Sequence, residues 1–181
     1  IPVEYANDWH HAEIDDSEMY GDNISGHTTV MYGLTGFSRI NYVDGEISNE
    51  ETDNITLDDL NQAECEGENK EDCEAMVLAT KVGIYGSYTA LGIGLLSLIS
   101  GLVVTFNKGS PKITAALVVI FSLTMIGYAG FHAATFPPIF FGELDLPIDE
   151  YPGVNTYATI VAGVLTLLSG CLVFTSETDD W

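Results

Sequence analysis

Residues 82–107 read VGIYGSYTALGIGLLSLISGLVVTFN and carry no formal charge. A helix of about 20 apolar residues crosses a bilayer core of roughly 30 Å. At 1.5 Å per residue, a helix from Val82 to Phe106 would be about 37 Å long, enough to span with some tilt. Two more uncharged runs follow, at 113–142 and 151–176. The pattern predicts three transmembrane helices, over about 76–106, 113–136 and 156–175. Pro137-Pro138 stops the second, because proline cannot continue a helix.

The chain ahead of these runs is different. Residues 1–75 hold 20 Asp and Glu against Arg39 and Lys70. That first part accounts for −18 of the net charge of −22. Such a surface repels nucleic acid and anionic head groups and attracts cations. The fold class is therefore a membrane α-helical bundle, residues 76–181, carrying a small acidic extracellular domain, residues 1–75. The chain begins at Ile1; a removed signal peptide or a preceding fourth transmembrane helix would each deliver that residue to the outer side.

Within the acidic domain, residues 1–26 read as polar and irregular. From Thr28 the pattern alternates: Val30, Tyr32 and Leu34 share one face, then Ile40 and Tyr42 share another. Thr35-Gly36 and Asp44-Gly45 are turn signals, the second a hairpin dipeptide. A small antiparallel sheet over about 28–49 follows. Residues 50–75 read as too acidic for a strand, with Ile55, Leu57 and Leu60 anchoring a short helix or loop. Cys65 and Cys73 bracket an acidic loop and are expected to form a disulfide in an oxidising compartment. Cys171 reads as a small apolar packing residue. Asn23 and Asn54 each begin an N-glycosylation pattern, consistent with an outside location.

Orientation follows from the short connection 107–112, which holds Lys108 and Lys112; positive short loops stay cytoplasmic. The loop 137–155 has acidic but no basic residues and is placed outside.

Small residues recur every four positions on two helices: Gly86, Ala90 and Gly94 on the first, and Ala158, Ala162, Thr166 and Gly170 on the last. Such ridges permit close helix contact in lipid, within the chain or with another subunit.

Candidate chemistry is sparse. No nucleotide-binding loop, metalloprotease helix or nucleophile elbow is present, so neither an enzyme nor a cofactor is expected. His132 is ionisable and lies in an apolar run, which makes it a functional candidate. It sits near the outer end of its helix, where an interfacial hydrogen bond is the expected role. His10 and His11, with Asp15 and Asp16, are of the types that bind divalent metals. The acidic runs 44–59 and 64–74 suit only weak cation binding, since they lack EF-hand spacing.

Trp9, then Gly33-Leu34, then Cys65 with Cys73 occur in an order that resembles the claudin-like tetraspan family. In that family a β-rich outer domain with a disulfide precedes a second helix, a short inner loop, a third helix, a smaller outer loop and a fourth helix. Here Thr35 stands where the family has the last Trp of its motif, and the spacing to Cys65 is longer. The resemblance implies a multi-pass cell-membrane protein without catalysis. It would be a structural, adhesive or accessory subunit touching lipid and other membrane chains in a homo- or hetero-oligomer. Two alternatives remain: a small subunit of a larger membrane enzyme complex, and a cation channel or transport component.

The topology is testable by impermeant thiol labelling of cysteines introduced at positions 50 and 109. Labelling at 50 but not 109 in intact cells is expected; the reverse pattern would invert the orientation.

Overall fold

The computed structural model describes residues 8–15, 26–54, 56–62, 65, 70–106, 109–136 and 148–175. Its elements are strands β1 (His10–Asp15), β2 (Gly26–Tyr32), β3 (Gly36–Val43) and β4 (Glu46–Asn54), helices α1 (Leu57–Gln62), α2 (Lys70–Thr105) and α3 (Pro111–Thr135), strand β5 (Ile148–Pro152) and helix α4 (Val154–Thr175). Contacts group the chain into two compact units. One comprises residues 1–81 and 132–157, the other 82–131 and 158–181.

The first unit is built on a five-stranded sheet in the order β4-β3-β2-β1-β5, antiparallel throughout. The β3–β4 turn is Asp44-Gly45, with φ of 51° and 80°. Positive φ at both central residues is the type I′ geometry, whose twist matches a hairpin. Two strands lie where the sequence reading had none. β1 falls in the segment read as irregular, and β5 in the loop 137–155. β1 shows no apolar–polar alternation because polar residues in it are buried: His10 and His11 are each 6% exposed. The acidic strand is the third departure, because β4 runs on through Asn54. Every residue of β4 is exposed, so its carboxylates project into water while its backbone pairs with β3. Charge on an edge strand also discourages pairing with a further chain.

α2 begins at Lys70, six residues before the expected start, and Cys73 in its first turns is joined to Cys65 by a disulfide. α3 begins with Pro111 after Ser110, whose carbonyl accepts from the Ile113 and Thr114 amides. Proline in the first turn removes only an amide that has no partner there. Lys108, Asn23 and Asp16 lie outside the described residues.

In the second unit, three helices are long and apolar enough to cross a membrane. This is a membrane protein. The small buried residues recur at intervals of seven: Ala90 and Ser97 on α2, Ala115, Ser122 and Ala129 on α3, Gly163 and Gly170 on α4. That spacing keeps one seam of each helix toward its neighbour. A Cβ on Gly86 would overlap the Tyr128 side chain, and one on Gly163 would lie 2.7 Å from Ile126 Cγ1. Gly94 faces Phe121 and Gly170 faces Val118 and Val119. The ridge of α2 is thus used inside the chain. On α4 the ridge divides: Gly170 is buried, whereas Ala158, Ala162 and Cys171 are exposed.

Hydroxyls within the helices have internal partners. Ser87, Thr89, Ser97, Ser122, Thr124 and Thr166 each donate to the carbonyl four residues earlier, at 2.7–2.9 Å. In lipid such a bond removes the cost of an unpaired hydroxyl. Ser100 and Thr114 instead bond to each other across α2 and α3, at 2.6 Å.

Leu at Gly86 is expected to lower bundle stability by about 1–3 kcal/mol through overpacking. Leu at Gly92, which meets nothing within 4 Å, should stay within about 0.5 kcal/mol of the parent. Denaturant titration in detergent micelles reads both. Equal stabilities would show that the α2–α3 approach is not as close as described.

Candidate functional site

The polar chemistry of the sheet unit converges on β1. His10, Ala12 and Ile14 occupy one face of the strand, and His11, Glu13 and Asp15 the other, because adjacent strand residues point to opposite sides.

Immediately before β1, Asp8 is 1% exposed. Its Oδ2 accepts from the Val154 amide at 3.1 Å, and its carbonyl accepts from the Asn155 amide at 2.9 Å. The Trp9 carbonyl accepts from the Gly153 amide at 2.9 Å and from the Thr156 hydroxyl at 2.7 Å. Asp8 therefore caps α4 from a distant part of the chain. A carboxylate at that end satisfies orphan amides and matches the helix dipole.

Asp8 Oδ1 lies 3.3 Å from His11 Nδ1. On the other side of the ring, Nε2 lies 3.4 Å from Glu13 Oε1, close enough for charge attraction but not aligned as a hydrogen bond. Tyr151 stacks on His11 with centroids 4.8 Å apart and donates its hydroxyl to Glu13 at 3.1 Å. Burial pulls the His11 pKa down, but the Asp8 hydrogen bond and the charges of Asp8 and Glu13 outweigh it and raise the value. The ring is thus held between two carboxylates that favour its protonated form.

The same face continues across β2 and β3. His11, Glu13, His27, Thr29, Met31 and Tyr42 line a groove of about 280 Å³. His27 Nε2 lies 3.1 Å from the Thr29 hydroxyl, and its ring tilts over Tyr42. Two imidazoles, a carboxylate and a phenol on one face can hold a small polar ligand.

The opposite face is more apolar. His10 stacks on Phe136 at 4.5 Å, and His132 meets Trp9 edge-on at 5.7 Å. His132 Nδ1 lies 3.2 Å from the Ala79 carbonyl. A carbonyl only accepts, so Nδ1 carries the proton. Burial, then the neighbouring His132, push His10 down to about 4. Its Nε2 lies 3.7 Å from Glu150 Oε2, but a neutral imidazole at neutral pH makes this a contact and not an ion pair.

The four residues singled out as divalent-metal candidates do not converge. His10 and His11 face opposite sides of the sheet, Asp15 is exposed at the end of β1, and Asp16 is outside the described residues. Among the described residues, no group of three or more metal-ligating side chains assembles. Of the glycosylation candidates, Asn54 ends β4 and is exposed. Its pattern partner Thr56 caps α1: its amide and hydroxyl donate to Asp59 at 2.7 and 2.6 Å, and its hydroxyl accepts from the Asp59 amide at 3.2 Å. This reciprocal cap fixes the start of α1. Asp8, His27, Tyr42 and Tyr151 had no sequence signal as site residues; only strand pairing across distant segments brings them together.

The sequence matches no protein-family model and no curated protein sequence.

The two histidines predict a stability optimum. Unfolded, each titrates near 6.5. His11, raised by folding, stabilises fully below 6.5, and that contribution fades as pH rises through its folded value. His10, lowered by folding, costs nothing above 6.5 and destabilises progressively down to about 4, by roughly 3 kcal/mol in total. Tryptophan-fluorescence melts between pH 4.5 and 8 should therefore peak near 6.5. His10→Phe should flatten the acid limb and His11→Gln the alkaline limb; limbs that survive both substitutions would contradict the assignment.

Proposed function

We propose that this is a non-enzymatic membrane protein of claudin-like architecture. It acts as a structural, adhesive or accessory subunit through lateral helix contacts and through its acidic sheet unit, set outside the cell membrane. The orientation rests on Lys108 and Lys112 in the one short basic connection.

One observation carries the lateral contact. α4 uses Gly163 and Gly170 against α3, and leaves Ala158 and Ala162 uncovered on another side. Intrachain packing thus leaves a shallow strip one turn long, where a second helix can approach closely. Much apolar surface remains for lipid or other chains: 11% of the apolar window of α2 and of α4, and 22% of that of α3, is buried within the chain. In the sheet unit, Asp8 and His11 are engaged in capping and ion pairing, which suits a rigid recognition surface. The net charge of −18 on residues 1–75 must be screened before like domains meet. Salt and divalent cations, bound weakly and diffusely, would supply that screening.

Native mass spectrometry in mild detergent across a salt series tests the reading. Oligomer or hetero-complex is expected to grow with salt. Ala162→Leu should reduce it roughly tenfold while leaving the melting temperature of the monomer unchanged, since Leu is compatible with lipid but too large for a close crossing. A monomer at every salt concentration, indifferent to Ala162→Leu, would sink this reading and favour a transport component.

A further inference from the structure

The groove of about 280 Å³ on the His11 face of the sheet is just below the roughly 300–1,000 Å³ of drug-sized sites, so its ligand is small. Its chemistry follows from strand register. Glu13 lies opposite Thr29, Thr29 opposite Ile40 and Ile40 opposite Glu50, so these four share one face. Glu13 also lies opposite Asp149, and His27 lies between Asp15 and Tyr42, on that same face. The described strand residues thus give this face four carboxylates, Glu13, Asp15, Glu50 and Asp149, and no lysine or arginine. Arg39 falls on the other face, opposite Val30.

Glu13 is the carboxylate held in place at this groove. Tyr151 donates to its Oε1 at 3.1 Å, and His11 Nε2 lies 3.4 Å from that same oxygen. Asp8 holds the far side of the His11 ring. Glu13 Oε2 has no protein partner among the described residues, and the side chain is 44% exposed. Even with His11 protonated, Asp8 and Glu13 leave this row one net negative charge. A carboxylate oxygen accepts hydrogen bonds and donates none. An anion is therefore repelled, and a neutral ligand leaves the charge unmatched. Tyr42 and His27 form an aromatic wall, with centroids 5.5 Å apart, and Met31 and Ile40 an apolar floor. The π face of a phenol attracts a cation. Glu13 and Tyr42 are two strands and two residues apart, about 12 Å between backbones, a gap that the two side chains and a short ligand bridge. A bare divalent cation fits less well, since no group of three ligating side chains assembles among the described residues.

We propose that this groove binds a small organic ammonium ion, with its N–H groups on Glu13 Oε2 and its hydrocarbon part against Tyr42 and the floor of Met31 and Ile40. His11 is a positioning residue: its Nε2 is buried, and it fixes Glu13 without touching the ligand. The site is independent of the α4 contact proposed above, because it lies wholly within the sheet unit.

The test uses the full chain in mild detergent at neutral pH, with phenethylammonium as the probe and saturation-transfer NMR as the readout. Empty micelles give the background. Saturable binding is expected, about tenfold tighter than that of phenethyl alcohol, which lacks the charge, and phenylacetate should not bind. Glu13→Gln should weaken binding about tenfold and Tyr42→Leu about threefold. Glu51→Gln makes the same charge change on the other face, opposite Arg39, and should leave binding unchanged. Thermal melts establish that each variant is folded; if Glu13→Gln is not, Tyr42→Leu decides. Equal binding of the alcohol, or wild-type binding by folded Glu13→Gln or Tyr42→Leu, would overturn the site. An equal loss in Glu51→Gln would show diffuse attraction and overturn it as well. Displacement by Ca²⁺ at comparable concentration would make this a metal site, and tighter binding of Nα-acetyl-lysine amide would make it a pocket for a protein's lysine. Either result overturns the small-molecule assignment.

Discussion

The sheet unit depends on the hold that Asp8 and Trp9 keep on the start of α4. Two backbone carbonyls and one carboxylate there receive the amides of Gly153, Val154 and Asn155 and the hydroxyl of Thr156. Those groups would otherwise be orphans at a buried helix end, which is costly. Satisfying them from a segment some 146 residues away fixes β5 beside β1 and sets the register in which His11 meets Tyr151. The same Asp8 carboxylate holds one side of the His11 ring. A capping arrangement and a charged network therefore share one residue, and loss of Asp8 would release both.

The two histidines of β1 show how neighbours in sequence acquire opposite chemistry. The alternation of a strand sends one ring to an aromatic surface and the other between two carboxylates. Burial drives the first toward the neutral form, while for the second burial is outweighed by Asp8 and Glu13 together, which raise its pKa. Neither is free to do what a paired His-His motif suggests. The groove over His11, His27 and Tyr42 is the more open polar surface, and it belongs to the sheet, not to the helices.

In the helices the governing constraint is the absence of water. Side-chain hydroxyls bond back to their own helix, and small residues at seven-residue intervals let α2, α3 and α4 meet within their unit. Both devices make the helices nearly indifferent to what surrounds them, so their remaining apolar faces suit lipid or another chain equally well. The exposed alanines of α4 are the place where that indifference ends.

The sequence by itself determined the three spans, because a bilayer tolerates no charge over some 20 residues and the uncharged runs are read directly. It also determined the Asp44-Gly45 hairpin, whose positive φ values need those residue types, and the Cys65–Cys73 pair, which is close along the chain. Each of these is a local constraint. Tertiary structure alone decided that β1 and β5 are strands, that an acidic segment can complete the sheet as its edge, and that the packing seam of α4 runs through Gly163 and not through Ala158 and Ala162. It also decided which carboxylates face His11. The pairing of β1 with β5 and the seam of α4 depend on segments far apart in the chain, which leave no period, turn signal or spacing in either segment alone. The edge strand and the carboxylates about His11 are near in sequence, but they are set by burial and backbone pairing that composition does not show.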